Sequence, residues 1–157
     1  MAVNFNMCEV VRDYLDRHEW KYSYLPENNI IKCGVNIKSK LKSVQMFIDF
    51  KARGFAVIAV PALSAGQDTM DEVMRYLTRA NYGLLNGNFE LDLTDGEIRY
   101  EVYVPCAGLG MLPDSVIEEA LAVPPLMFQK FGDGLAAVAL GFSDGETEFM
   151  KTKQNQA

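Results

Sequence analysis

Residues 30–60 read IIKCGVNIKSKLKSVQMFIDFKARGFAVIAV, and the alternation within this stretch decides the fold. Ile31, Cys33, Val35 and Ile37 fall on one side of an extended chain, with Lys32, Gly34 and Asn36 on the other. The polar stretch 38–43 turns the chain. From 44 to 51, Val44, Met46, Ile48 and Phe50 share one face, while Gln45, Phe47, Asp49 and Lys51 share the opposite one. Ala52-Arg53-Gly54 closes a short hairpin. Residues 55–60 then run apolar on both sides, as a strand covered on two faces would. Connections this short leave no room for crossovers, so the meander is antiparallel.

Working outward, a shorter strand precedes it. Tyr22 and Tyr24 alternate before the turn Pro26-Glu27-Asn28-Asn29. Before that, Val10, Val11, Tyr14, Leu15 and His18 recur at helical spacing. Asn4 or Asn6 is placed to cap this helix, and Asp13 is placed to pair with Arg17 one turn on. Downstream, residues 68–82 form a second helix with the stripe Met70, Val73, Met74, Leu77 and Ala80. A second hairpin follows, in which Phe89, Leu91 and Leu93 lead through Thr94-Asp95-Gly96-Glu97 to Ile98, Tyr100, Val102 and Val104. A helix opens at Pro113-Asp114 and is expected to stop at Pro124-Pro125; another runs from Pro125 to about residue 140, weakened by Gly132 and Gly134. Those glycines mark either a break or close packing against the sheet. The fold class is therefore α+β: one antiparallel β-sheet with helices packed on one face, in the order α-β-β-β-β-α-β-β-α-α. Residues 1–145 are expected to form the single domain, and 146–157 a flexible C-terminal tail.

Composition narrows the function. Of 157 residues, 49% are hydrophobic and 23% charged, an ordinary balance for a globular chain. A formal charge of −6 repels phosphate backbones, so no nucleic-acid partner is expected. The one basic grouping, Lys32, Lys38, Lys40 and Lys42, reads as a solvated strand end and turn. No apolar run spans a membrane, and residues 1–11 lack the basic start and apolar block of a signal peptide, so the expected location is the cytoplasm.

Groups with chemical potential are few. His18, the only histidine, is in phase with Tyr14 and Val11 and reads as a partly buried structural residue. Cys8, Cys33 and Cys106 form neither a CxxC pair nor a disulfide framework. Cys106 lies in a loop where a thiol would be exposed, but nothing beside it in the sequence would activate it. Gly108-Leu109-Gly110 lacks the further glycine and the lysine of a phosphate cradle. Glu118-Glu119 reads as a solvated helix face and Asp92, Asp95 and Glu97 as a turn; neither has metal-loop spacing. No catalytic residue, metal or cofactor is expected. What remains is surface: Phe47 on the face opposite the helices, joined by Ile58 and Val60 if the fourth strand pairs with the third, and by Tyr103 from the second hairpin. An apolar patch on a polar sheet face marks a contact site for protein.

Leu85-Asn86-Gly87-Asn88-Phe89-Glu90-Leu91-Asp92, leading through Asp95-Gly96-Glu97-Ile98 into Arg99-Tyr100-Glu101, resembles the YbjN family. That family shows an Asn after its central helix, then Gly-x-Phe-x-Leu-Asp, a glycine turn and an apolar strand. The resemblance covers roughly residues 7–142. It implies a fold similar to type III secretion chaperones, which are dimers holding extended segments of client proteins, and it implies no catalytic residues. The expected function is a non-enzymatic, chaperone-like or adaptor module that binds a protein segment, with a homodimer of twice 17.6 kDa as a further expectation. The alternative is a small-molecule-binding or enzymatic domain using a cavity between sheet and helices. Protein purified without added metal should show no stoichiometric zinc or iron by elemental analysis; one equivalent of either would overturn the metal-free reading.

Overall fold

The structure is a computed structural model that describes residues 5–155. Helix α1 (Met7–Arg17) leads into four strands, β1 (Tyr22–Leu25), β2 (Ile30–Asn36), β3 (Ser43–Lys51) and β4 (Gly54–Pro61). Helix α2 (Met70–Asn81), strands β5 (Asn88–Leu91) and β6 (Ile98–Pro105), and helices α3 (Asp114–Ala139) and α4 (Gly145–Gln154) follow. The strands form one antiparallel sheet in the order β1-β2-β3-β4-β6-β5. The order of elements is the expected one, with the bounds that periodicity implies through β6 and different bounds for the last two helices.

Strand alternation sorts the sheet into two unlike faces. Ile31, Cys33, Val44, Met46, Ile48, Phe50, Val57, Ala59, Tyr100 and Val102 are buried in one continuous core. The helices lie on this side, contributing Val11 and Leu15 from α1, Val73 and Tyr76 from α2, and Ile117, Phe128 and Leu135 from α3. At the sheet's β5 edge the core is aromatic. The ring of Phe89 meets Tyr100 at 4.9 Å, Phe128 at 5.3 Å and Phe131 at 5.6 Å, each edge to face. This is the geometry that ring quadrupoles favour.

Phe89 is fixed there by Asn81, at the end of α2. Its side-chain amide donates to Phe89 O at 3.0 Å and its Oδ1 accepts from Phe89 N at 2.7 Å. One side chain thus occupies both backbone groups of a strand that is only four residues long. The turn between β5 and β6 depends on Gly96 in the left-handed region (φ 80°), where any Cβ would run into Ala65 O.

Three expectations need correction. First, α3 is one helix of 26 residues that passes through Pro124 and Pro125 instead of ending there. The prolines remove two intrahelical donors, yet both side chains are buried on the face that also presents Ile117, Leu121 and Phe128, and that packing outweighs the lost bonds. The glycines of α3 mark close packing and no break, but against the 38–42 loop and α2 instead of the sheet. A Cβ on Gly132 would meet Ser39 Oγ at 2.6 Å, and one on Gly134 would meet Tyr76 Oη at 2.5 Å. Second, the polar segment after Gly145 is helix α4, whereas a frayed tail was expected; residues 156–157 of that tail lie outside the described residues. Asp144 caps α4 by accepting from Thr147 N at 2.8 Å. Glu72 on α2 accepts from Gly145 N at 2.8 Å, pinning the helix to the bundle. Third, β4 is apolar on both sides without being covered on both; its outward residues belong to the open face described below.

At the first helix, Asn6 is the cap, accepting from Cys8 N and Glu9 N, and Arg17 pairs with Asp13 at 2.8 Å. Asn4 lies outside the described residues. In α2 the stripe shifts: Met74 is exposed, and Tyr76, which is not in the expected stripe, is fully buried. Its hydroxyl donates to Phe131 O at 2.7 Å, and burial pushes the phenol up to about 12.

Two outcomes follow. Alanine usually stabilises a helix by about 1 kcal/mol over glycine, but Gly134→Ala should destabilise this protein by roughly 1–3 kcal/mol because a rigid, buried ring must move. The loss should shrink in the Tyr76→Phe background, and urea denaturation of the double-mutant cycle measures it. Asn81→Ala should cost about 1–3 kcal/mol by leaving Phe89 N without a partner, while Phe89 O keeps the amide of Asn88 at 3.1 Å, read from the same urea midpoints.

Candidate functional site: the open sheet face

Among the described residues, no helix lies over the second face of the sheet. The register assembles its surface in rows. Lys32, Phe47, Ile58, Glu101 and Asn88 stand side by side across β2, β3, β4, β6 and β5. One neighbouring row sets Gly34 beside Gln45 and Val60; the other sets Ile30, Asp49, Ala56 and Tyr103 in line. The residues expected to make the contact patch, Phe47, Ile58, Val60 and Tyr103, therefore do share one face. Phe47, Ile58 and Val60 are half-buried, and Tyr103 is 49% exposed.

The patch is shaped by what lies beside it. Tyr103 points along the sheet to Gly54, where a Cβ would meet its hydroxyl at 2.6 Å, so glycine leaves the ring room to lie flat. Ala56, in register with Tyr103, is buried as a result. At the other end the ammonium of Lys32 stands 5.9 Å from the centre of the Phe47 ring, within reach of a cation–π attraction.

Charges border the apolar rows on the β6 side. Arg99 grips Glu90 with Nε at 3.0 Å and Nη2 at 2.9 Å, and its Nη2 reaches Glu101 at 3.4 Å. On the β3 side Lys51 pairs with Asp49 Oδ2 at 2.8 Å, while Asp49 Oδ1 is buried without a hydrogen-bond partner. Burial raises the carboxyl of Glu101 above its ordinary range, and the adjoining Glu90 and the charge of Asp49 push it the same way against Arg99. Nothing in the sequence of Glu101 announces this; it arises from the register that brings β5 and β3 residues to either side of it.

The other groups with chemical potential do not assemble into a site. His18 is exposed at the end of α1, its ring 4.2 Å from that of Tyr14, which corrects the expectation of partial burial. Its place just past the last helical turn turns it outward from the stripe. Cys106 is likewise not an exposed thiol: it is buried, its sulfur lies 3.6 Å from Val104 O, and burial alone pushes it up. Asp92 and Asp95 each accept a backbone N–H two residues on, from Thr94 and Glu97, as turn-formers do. Among the described residues, no group of three or more His, Cys, Asp or Glu side chains is arranged to hold a metal ion. No helix among them is long and apolar enough to cross a membrane.

The loop 38–42 is more than a polar turn. Gln129 and Asp133 of α3 accept from Lys38 N, Ser39 Oγ and Lys40 N at 2.7–2.9 Å. Surface grooves flank this strap. One of about 560 Å³ lies between Leu41, Leu63, Ala137 and Phe142; another of about 440 Å³ lies between Tyr14, Trp20, Ile37 and Leu121. Both open at the rim of the helical layer, so neither is the enclosed cavity between sheet and helices that a buried ligand would need.

Comparison with known proteins agrees with this architecture. No curated protein matches the chain. The crystal structure of YbjN from E. coli, described as "a putative transcription regulator", superposes with a TM-score of 0.58 over 81% of this chain and 92% of that one, at 9% identity. That likeness is one of fold. Residues 8–136 match the model of the YbjN family, described as "Putative bacterial sensory transduction regulator". The match starts in α1 and ends in the last turn of α3, taking in the whole sheet, and the chain belongs to the YbjN family.

Proposed function

We propose that this protein is a non-enzymatic regulatory module that acts by binding a segment of another protein on the open face of its sheet. The observation that supports the reading is the unlike covering of the two faces. One is sealed by α1, α2 and α3, with α4 closing over α2 and α3; the other presents Phe47, Ile58, Val60 and Tyr103 in adjoining rows with no element of the described residues over them. Apolar side chains aligned on a rigid sheet lose little freedom when a partner covers them, so burying them favours association. The chemistry is compatible with a regulator, since the groups capable of acid, base or thiol work are scattered or buried.

A second copy of the chain is the other occupant such a face could take. Phe47→Glu tests both. The side chain is half-buried and fills no part of the core, so the substitution should lower Tm by only a few degrees, in keeping with a loss of roughly 1 kcal/mol. It should also remove the partner, because a carboxylate would have to be desolvated in the contact. Light scattering on a sizing column reports any dimer, and capture from the native cell extract followed by mass spectrometry reports a foreign partner. Proteins recovered by the wild-type bait and absent with Phe47→Glu support the reading. Unfolding on substitution would mean that the face is covered after all, and undiminished capture would move the contact elsewhere, such as a sheet edge open to strand addition.

A further inference from the structure

We infer that the occupant of the open face is an extended segment whose sheet-facing side chains run from apolar to basic, and not a second copy of this chain. The inference rests on the proposed reading of that face as a binding surface and adds the chemistry of what it binds.

The apolar rows are not bounded evenly. Three carboxylates, Asp49, Glu90 and Glu101, share two cations, Lys51 and Arg99. Arg99 spends its close contacts on Glu90, both at or under 3.0 Å, and reaches Glu101 only at 3.4 Å. Glu101 is therefore the carboxylate with the weakest compensation, and the register sets it directly beside Ile58, in the same row as Phe47. Lys32, the remaining cation of that row, lies at the far side of Phe47, three strands from Glu101. Any occupant that covers Phe47 and Ile58 must also cover Glu101 and strip water from it. An apolar occupant would leave that carboxylate buried with too little positive charge near it, which is costly. A second copy turned about an axis along the row would bring its own Glu101 and Asp49 to the same region of the contact; one turned about an axis along the strands would set Lys32 against Glu101, yet the two chains would still meet with a charge of −6 each. A lysine or arginine over Glu101, flanked by apolar residues over Ile58 and Phe47, supplies the missing charge and keeps the apolar burial.

Alternation suits an extended occupant in a further way. Successive side chains of a strand-like segment point to opposite sides. A bound segment would therefore turn every second residue to the sheet, and an apolar-to-basic change along that inward set would follow the row from Phe47 to Glu101.

The probe is a fluorescent synthetic peptide about eight residues long, enough in extended form to cross the face, in which every second residue runs from leucine to lysine and the intervening ones are serine. Matched peptides replace lysine by glutamate, or leucine by serine. The leucine–lysine peptide should bind at least about tenfold more tightly than the leucine–glutamate one. Glu101→Gln should reduce that preference to within about threefold, while Glu118→Gln/Glu119→Gln, which removes two charges from the exposed side of α3, should leave it unchanged. Phe47→Ala should weaken the leucine–lysine peptide, and the serine–lysine peptide should bind poorly throughout. Circular dichroism verifies that each variant is folded.

If both charged peptides bind alike and Phe47→Ala weakens both, the face is a binding surface and the inferred charge preference falls. If the preference persists in Glu101→Gln and disappears in the α3 variant, it reflects the overall acidity of the chain and the inference likewise falls. If the leucine–lysine peptide binds and neither Phe47→Ala nor Glu101→Gln alters it, the peptide sits elsewhere, and the reading of the face falls with the inference. A wild-type dimer that Phe47→Ala converts to monomer would give the face to a second copy and overturn the inference alone.

Discussion

The two hydrogen bonds between Asn81 and the backbone of Phe89 hold the architecture in register. β5 is a four-residue edge strand joined to the sheet through β6 alone, and a strand that short has little pairing of its own to fix it. The amide of Asn81 ties it to the end of α2 and sets the position of the Phe89 ring. Around that ring close Tyr100 from the sheet and Phe128 and Phe131 from α3. Phe131 in turn accepts the hydroxyl of Tyr76 through its carbonyl, and Tyr76 leaves space only because residue 134 is glycine. A chain of contacts thus runs from one amide through the sheet to both central helices, each link requiring the one before it. Asn81 and the stretch Gly87-Asn88-Phe89-Glu90-Leu91-Asp92 are, in this light, the sequence trace of a folding constraint.

Much of this was legible in the residues, and the exceptions have physical causes. Strict alternation through residues 30–60 specified strand pairing and facing because a slip of one residue would turn every apolar side chain to the wrong side. The same alternation placed Phe47 on the open face, and pairing with β4 brought Ile58 beside it. Pro124-Pro125 misled because the local cost of proline in a helix is real; the burial of both rings in α3, which outweighs it, is a property of the tertiary structure. α4 was missed for the opposite reason. Its apolar content is low, so no periodic stripe appears, although Asp144 before Gly-Glu-Thr, acidic residues in the first turn and Lys151 and Lys153 in the last formed a readable helix signature. Tyr76 escaped notice because a tyrosine between arginine and leucine reads equally well as surface. Glu101 could not have been singled out at all, since its surroundings are made by residues from three separate strands.

The open face also explains how an apolar patch can be carried without a covering layer. Its side chains shelter one another: Tyr103 lies toward Gly54 and covers Ala56, and Lys32 stands near the Phe47 ring. Phe47, Ile58 and Val60 are left half-buried, with charged residues on both flanks. The arrangement limits indiscriminate association, because a wholly apolar intruder would have to desolvate Glu101 and Asp49 to reach them. It also retains a free-energy gain for an occupant able to meet both demands.

This division of labour between the faces bears on how such a module can regulate. The helical side is fully committed to stability: α4 closes over α2 and α3 through Glu72 and Gly145, and its approach is so tight that a Cβ on Gly145 would strike Glu72 O. Rearranging that layer would disturb the aromatic core and the Asn81 tie together, so binding is unlike a switch that remodels the fold. The sheet face, by contrast, can be covered or uncovered with little change to anything beneath it, since its side chains contribute little to the core. On the function proposed above, regulation would be a matter of occupancy: a segment lying on the sheet would be withdrawn from its other partners. The strength of that withdrawal would follow how well its side chains match the sequence of apolar and acidic positions along the row from Phe47 to Glu101.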